Sequence, residues 1–195
     1  MARGGVNAPT LPVKEGFSGA PLSDAAAWDA YVAAHPDATP FHSRAWCEAI
    51  TRATGHRCHL VTARNATGAL AGLLPLHHVR SPLFGQALVG SGFGVGGGIL
   101  ADNPGVEATL AHGAAAMAKP LGVPSVELRG GPLPASEGWR VEEGVYAGFA
   151  RELAADNDAE LLAIPRKQRA EVRKVLESGL TVTAGRSDTE RRDHY

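Results

Sequence analysis

The sequence predicts an α/β (α+β) domain over residues 23–150, a mixed sheet flanked by helices, followed by an acidic connector, a basic helix, a short strand and a helix start. Three features carry this expectation. Two capped, amphipathic helical segments come first. An apolar β-hairpin follows them. An extended, glycine-cut stretch, a long helix and a further strand then form a β-helix-β unit, which needs one shared sheet to bury its apolar faces.

Residues 1–22 are rich in Gly, Pro and Ala without periodicity and read as a loose arm. Ser23 is placed to cap "DAAAWDAYVAAH", with Trp28, Tyr31 and Val32 along one face. "HPDATPF" breaks that helix, and Ser43 caps a second, "RAWCEAITRAT", which stops at Gly55. "RCHLVTAR", the turn "NATG" and "ALAGLLPLHHV" form the hairpin. Its second strand is nearly all apolar, as a strand buried on both faces would be. In "DNPGVEATLAHGAAAMAKPLG" an Asn cap and a first-turn proline precede apolar residues at Val106, Leu110, Ala114, Met117 and Leu121. "PSVELRGG" and the alternating "GWRVEEGVYAGFARELA" are expected to be strands. Residues 151–163 are an acidic connector. Residues 164–195 carry a basic helix, a short strand "LTVTAG" and a capped helix start in "SDTERRDHY". One strand and a helix start bury little on their own, so either the chain is truncated at residue 195 or these elements pack back on the first domain.

The bulk numbers exclude several functions. Hydrophobic content of 44% and charged content of 20% are those of a soluble globular protein. A net charge of −1 argues against a dedicated DNA or RNA binder. Two cysteines, with no CxxC pair, build no disulfide framework and suit a reducing cytoplasm. No apolar run is long enough for membrane insertion, and the N-terminus lacks a signal-peptide core. A cytoplasmic location is expected.

"GFGVGG", Gly92–Gly97, fits GxGxxG, but that motif must open directly into a helix whose N-terminus holds a pyrophosphate. Here "GILADNP" intervenes, so the glycines are read as close-packing residues or as the lining of a ligand cleft. His42, Cys47, His56, Cys58, His59, His77 and His78 fall in one span, in spacings that match no zinc motif. His77 and His78 point to opposite faces of their strand. No metal site is expected. There is no GxSxG and no activated cysteine, so the catalytic residues stay unassigned.

The most basic run is "IPRKQRAEVRKVLESGL". Five of the nine residues Arg166–Lys174 are Arg or Lys, against the single acid Glu171. At about 100° per residue, Arg166, Arg169 and Arg173 share one narrow stripe, flanked by Lys167 and Lys174. Val172, Val175 and Leu176 are read as the apolar side of the helix, turned to the core. Such a stripe is a solvated helix face or a set of forks for phosphate or carboxylate. No aromatic residues are interleaved for base stacking, which argues against an RNA-binding module.

"TPFHSRAWCEAITRATGHRCHLVTAR", followed by "GALAGLLPLHHVRSPLFGQALVGSGFGVGGGILAD", resembles the first lobe of FemAB-like proteins. The branch it resembles is the exosortase/PEP-CTERM-associated one, with a BioF2-like acetyltransferase (GNAT) domain. The basic block resembles the helix that opens that family's second lobe. The resemblance implies two GNAT-like lobes and an acyl- or aminoacyltransferase linked to the cell envelope or exopolysaccharide. It further implies acyl-CoA or aminoacyl-tRNA as co-substrate, no bound cofactor, and a small-molecule or glycopeptide-like amine acceptor. Arg166, Lys167, Arg169, Arg173 and Lys174 would hold an anionic group, with Gly97, Gly98 and Arg129 lining a cleft. The GNAT acyl-CoA loop [Q/R]xxGx[G/A] does not occur in the chain. Without it the isolated chain is expected to be inactive, and the alternative is a non-catalytic binding or scaffold lobe, or an inactive truncated remnant.

Overall fold

The computed structural model describes residues 22–132, 138–145 and 147–194. The chain divides into two compact units, residues 1–141 and 142–195. Apart from Leu22, the N-terminal arm lies outside the described residues.

Unit one opens with α1 (Leu22–Ala34), which begins one residue ahead of the serine expected to cap it. Trp28 is buried, and its indole N–H donates to the His42 carbonyl at 2.7 Å. After a short 3₁₀ turn, Pro40–His42, comes α2 (Arg44–Thr54). The Ser43 side chain accepts from the Trp46 N–H, and Gly55 ends the helix at φ 74°, both as expected.

Strands β1 (Arg57–Arg64) and β2 (Leu70–Ser81) form the antiparallel hairpin. Its turn is tied by Asn65, whose side-chain oxygen accepts from the Thr67 and Ala69 N–H groups. β3 (Gly85–Gly90) continues the meander, and β4 (Leu100–Ala101) pairs with β2 at Gly72 and Leu73. Helix α3 (Pro104–Ala118), capped by Asn103, then leads to β5 (Val126–Glu127), which lies parallel to β3. The result is a mixed, open sheet ordered β1-β2-β3-β5, with the β-helix-β unit in place.

Both faces of the sheet are covered. On one, α3 supplies Leu110, Ala111, Ala114 and Met117 against Val61, Leu74, Leu76 and Leu88. Gly72 permits this contact, because a Cβ there would stand 2.6 Å from the Val106 side chain. On the other face Trp28 and Cys47 pack against Cys58, Leu73 and Leu100. β2 is accordingly buried from Ala71 to His77.

Two expected strands are absent. Residues 139–153 carry no strand where they are described, and Val145 and Phe149 are exposed, although Trp139 packs on the core. Alternation alone builds no strand without an edge to pair with. Gly130 and Gly131, both at positive φ, turn the chain after β5 into the loop that follows β3, so no ladder extends from β5. "LTVTAG" is likewise unpaired, with Val182 fully exposed.

Unit two contains α4 (Asn157–Ala163), α5 (Arg166–Glu177) and α6 (Asp188–His194). Asp156 caps α4, within the acidic connector, by accepting from the Ala159 N–H. Ser187 and Glu190 cap the start of α6 reciprocally, each side chain accepting from the other's backbone N–H. No helix among the described residues is long and apolar enough to cross a membrane.

Candidate functional site

The loop Ser91–Ile99 leaves the end of β3 and lies beside the end of its parallel neighbour β5. Its carbonyls are held by side chains of the segment before β1 and by one of its own. Trp46 donates to the Gly92 carbonyl at 3.2 Å, the Thr39 hydroxyl to Gly96 at 3.0 Å, and Ser91 to Gly97 at 2.9 Å. His42 Nε2 lies 3.2 Å from the Gly98 carbonyl, and the Gly96 N–H donates to the Arg129 carbonyl at 2.9 Å. Ser91 and Phe93 adopt φ of 51° and 65°, a left-handed conformation unusual for side chains of their kind. Phe93, half-exposed, stacks on His56 with ring centroids 5.9 Å apart.

Gly97, Gly98 and Arg129 therefore meet in one place, but the two glycines are buried. A Cβ at Gly97 would fall 1.4 Å from the Ser91 hydroxyl, and one at Gly98 would fall 1.9 Å from the Gly130 carbonyl. The Arg129 guanidinium pairs with Glu127 at 2.6 Å, with both side chains partly exposed.

The five basic residues share α5. Arg166, Lys167 and Arg173 are exposed and make no ion pair among the described residues. Lys174 pairs with Glu171 at 2.9 Å, on the surface. Arg169 is different. Its Nη2 donates to the carbonyls of Leu162 and Ile164, at 2.9 and 3.0 Å, so the guanidinium closes the C-terminal end of α4.

A second constellation was not legible as a motif. Cys58 on β1 pairs across the hairpin with His77 on β2, and α2 brings Cys47 onto the same face. One ligand atom from each of the three lies within 4.8 Å of the others, and all three residues are buried. The Gly92 N–H donates to His77 Nδ1 at 3.0 Å, which places the proton of the neutral ring on Nε2. Burial pushes the ring's pKa down to about 4, against the opposing pull of the Cys47 carbonyl. Nε2 makes no hydrogen bond of ordinary geometry, the Cys47 carbonyl beside the ring being poorly aligned for one. A hydrogen bond with Cys47, and then burial, push the Cys58 thiol well up, so it stays protonated. His78 faces away and pairs with Gln86 at 2.9 Å. The signal available in the sequence was the hairpin register set by "NATG", combined with the core-facing stripe of the Ser43-capped helix.

No protein-family model, curated protein or solved structure matches the chain.

Proposed function

We propose that the chain is the N-terminal part of a FemAB-like acyl- or aminoacyltransferase of GNAT type, acting on an amine acceptor of cell-envelope or exopolysaccharide metabolism. One observation carries the reading. A mixed sheet flanked by helices, with an antiparallel hairpin and a parallel β3–α3–β5 unit, is compatible with the α/β lobe that the resemblance implies. The acceptor amine attacks the carbonyl carbon of an acyl-CoA thioester or an aminoacyl-tRNA ester. A C–N bond forms, the C–S or C–O bond breaks, and the amine gives up a proton as the thiol or hydroxyl leaves. The protein's part is orientation and stabilisation of the oxyanion. Arg166, Lys167 and Arg173 hold an anionic part of the donor, or of a small-molecule or glycopeptide-like acceptor, joined by Lys174 once it leaves its surface pair. Arg169 serves instead by fixing the helix that presents them. The donor is a co-substrate and not a resident cofactor, and the reaction belongs in the cytoplasm, where charged tRNA and acyl-CoA occur.

A second reading, a non-catalytic binding lobe, is favoured by the burial of Gly97 and Gly98, which leaves no room for a ligand beside their backbones. The isolated chain is expected to be inactive, so incubating the complete protein, of which this chain would be the N-terminal part, with acetyl-CoA or charged tRNA and amine acceptors, and following thiol release or ester loss, separates the two. Turnover that falls in an Arg166→Ala/Arg173→Ala variant supports the transferase. Donor binding without turnover supports the binding lobe. Neither binding nor turnover overturns both.

A further inference from the structure

We propose that Cys47, Cys58 and His77 form a site for a thiophilic d¹⁰ cation, Zn(II) or Cu(I), between α2 and the β1–β2 hairpin. This departs from the expectation, drawn from motif spacing, that the chain binds no metal. The three side chains come from three elements, so no short motif could announce them. Packing does what spacing does not. Cys58 and His77 are cross-strand partners, and Cys47 is laid over them by a helix whose start is fixed by the Ser43 cap. Their ligand atoms lie within 4.8 Å of one another, and each residue has 0% of its surface exposed.

Two sulfurs and an imidazole suit zinc and Cu(I), and are poor partners for magnesium or calcium. A second observation points the same way. His77 Nε2 is buried without a well-formed hydrogen bond, the Cys47 carbonyl beside the ring being poorly aligned for one, and coordination would complete it. Charge fits as well. A divalent ion displaces one proton from each thiol, and two thiolates then balance it, leaving a neutral complex in an apolar interior. Cu(I) would leave one negative charge but is content with three donors. Burial therefore argues for zinc and the donor count for copper.

Loading has a structural consequence. The ring's only proton sits on Nε2 while Nδ1 accepts from Gly92. Coordination through Nε2 moves that proton to Nδ1, and the Gly92 N–H must then turn away. Gly92 lies between Ser91 and Phe93, the two non-glycine residues held at positive φ among those described, and its carbonyl accepts from Trp46. The cation thus competes with the hydrogen bond that anchors the start of the loop.

The test uses the reduced, chelator-stripped chain, refolded with Zn(II) or, anaerobically, with Cu(I), because the site is closed in the folded protein. One equivalent should survive gel filtration, and both thiols should resist alkylation. Whichever ion is retained against a competing chelator identifies the metal. Co(II) in place of zinc should give sulfur-to-metal charge-transfer absorption. Nitrogen NMR of the ring should show the His77 proton moving from Nε2 to Nδ1. The proposal is overturned if no ion is retained, or if a Cys47→Ala/Cys58→Val variant retains as much as the parent, which would place the ion on surface histidines. Should that variant fail to fold, the unsubstituted chain decides. A cobalt spectrum without sulfur charge transfer, or a loaded protein that keeps its Nε2–H, sinks the idea.

Discussion

His42 makes two hydrogen bonds that suit the neutral ring. Its Nδ1 accepts from the Thr39 N–H at 3.0 Å, so Nε2–H donates to the Gly98 carbonyl. Burial holds the ring's pKa below the ordinary histidine value, although the Gly98 and Thr39 contacts pull it back up, and the nearby His35 adds a small push downward. The unfolded chain takes its proton near pH 6.5, as free histidine does. Between that pH and the lower folded value the unfolded state binds more protons, so stability is full above about 6.5 and falls as the pH drops through this window. Thermal midpoints measured across that range should show the decline. A His42→Gln variant, whose amide can still donate to Gly98 but does not titrate, should show a shallower slope. An unchanged slope would assign the acid sensitivity to other groups. The same loop offers a steric prediction. Gly98→Ala drives a methyl into the Gly130 carbonyl, which is backbone and cannot swing aside. Gly97→Ala meets the Ser91 hydroxyl, which can rotate at the loss of its bond to the Gly97 carbonyl, but also the Ser91 and Phe41 Cβ atoms at 2.6 and 2.8 Å, which cannot. Denaturant unfolding should therefore show both substitutions to cost at least the roughly 1–3 kcal/mol of an overpacked core, and an unchanged midpoint for either would mean that the loop can shift to admit the methyl.

At the scale of elements, the arginine stripe of α5 separates into two roles. Arg169→Ala removes bonds to the Leu162 and Ile164 carbonyls and should lower the helix content of unit two in circular dichroism. Arg166→Ala and Arg173→Ala leave exposed positions and should change stability by no more than about 0.5 kcal/mol, as surface substitutions do. Equal helix loss in all three would mean that the stripe is structural throughout. Periodicity placed all three arginines on one face but could not tell them apart, because the distinction depends on where the end of α4 falls. The helices were legible wherever a cap and a period agreed, as at Ser43 and Gly55 for α2 and at Asn103 for α3. The hairpin was legible because its apolar second strand and its "NATG" turn point to one register. The strands expected at 139–153 and 180–185 failed for one shared reason. Alternation describes a face, whereas a strand also needs a partner edge, and the edge is a property of the fold. The Cys47–Cys58–His77 cluster stayed hidden for the same kind of reason, since its members are distant in sequence and meet only through register and helix packing.

At the scale of the whole molecule, the two units differ in what holds them. Unit one buries both faces of a sheet, with Leu73, Leu74, Leu76 and Leu88 each at 0% exposure. In unit two no described residue is buried. Val175, Leu176 and Leu180 stand 54%, 71% and 74% exposed, and the helices are 7, 12 and 7 residues long. Isolated helices shorter than about 12–15 residues are marginal in water, and most helical stability comes from burying an apolar face. Hydrogen exchange should therefore resolve the chain into two tiers. Amides of β1, β2 and α3 should exchange only through global unfolding and slow together as stability is raised. Those of α4, α5 and α6 should exchange through local opening, at rates unaffected by changes in the stability of unit one. Trypsin should agree, cutting first at Arg151, in a stretch without helix or strand, and sparing Arg57 and Arg64 within β1. Protection of α5 as strong as that of β2 would contradict this, and would mean that the Val172, Val175 and Leu176 face is covered in solution. Adding an anionic donor that engages Arg166 and Arg173 should slow exchange in α5 while leaving β2 unchanged, since binding stabilises only the elements it touches against local opening.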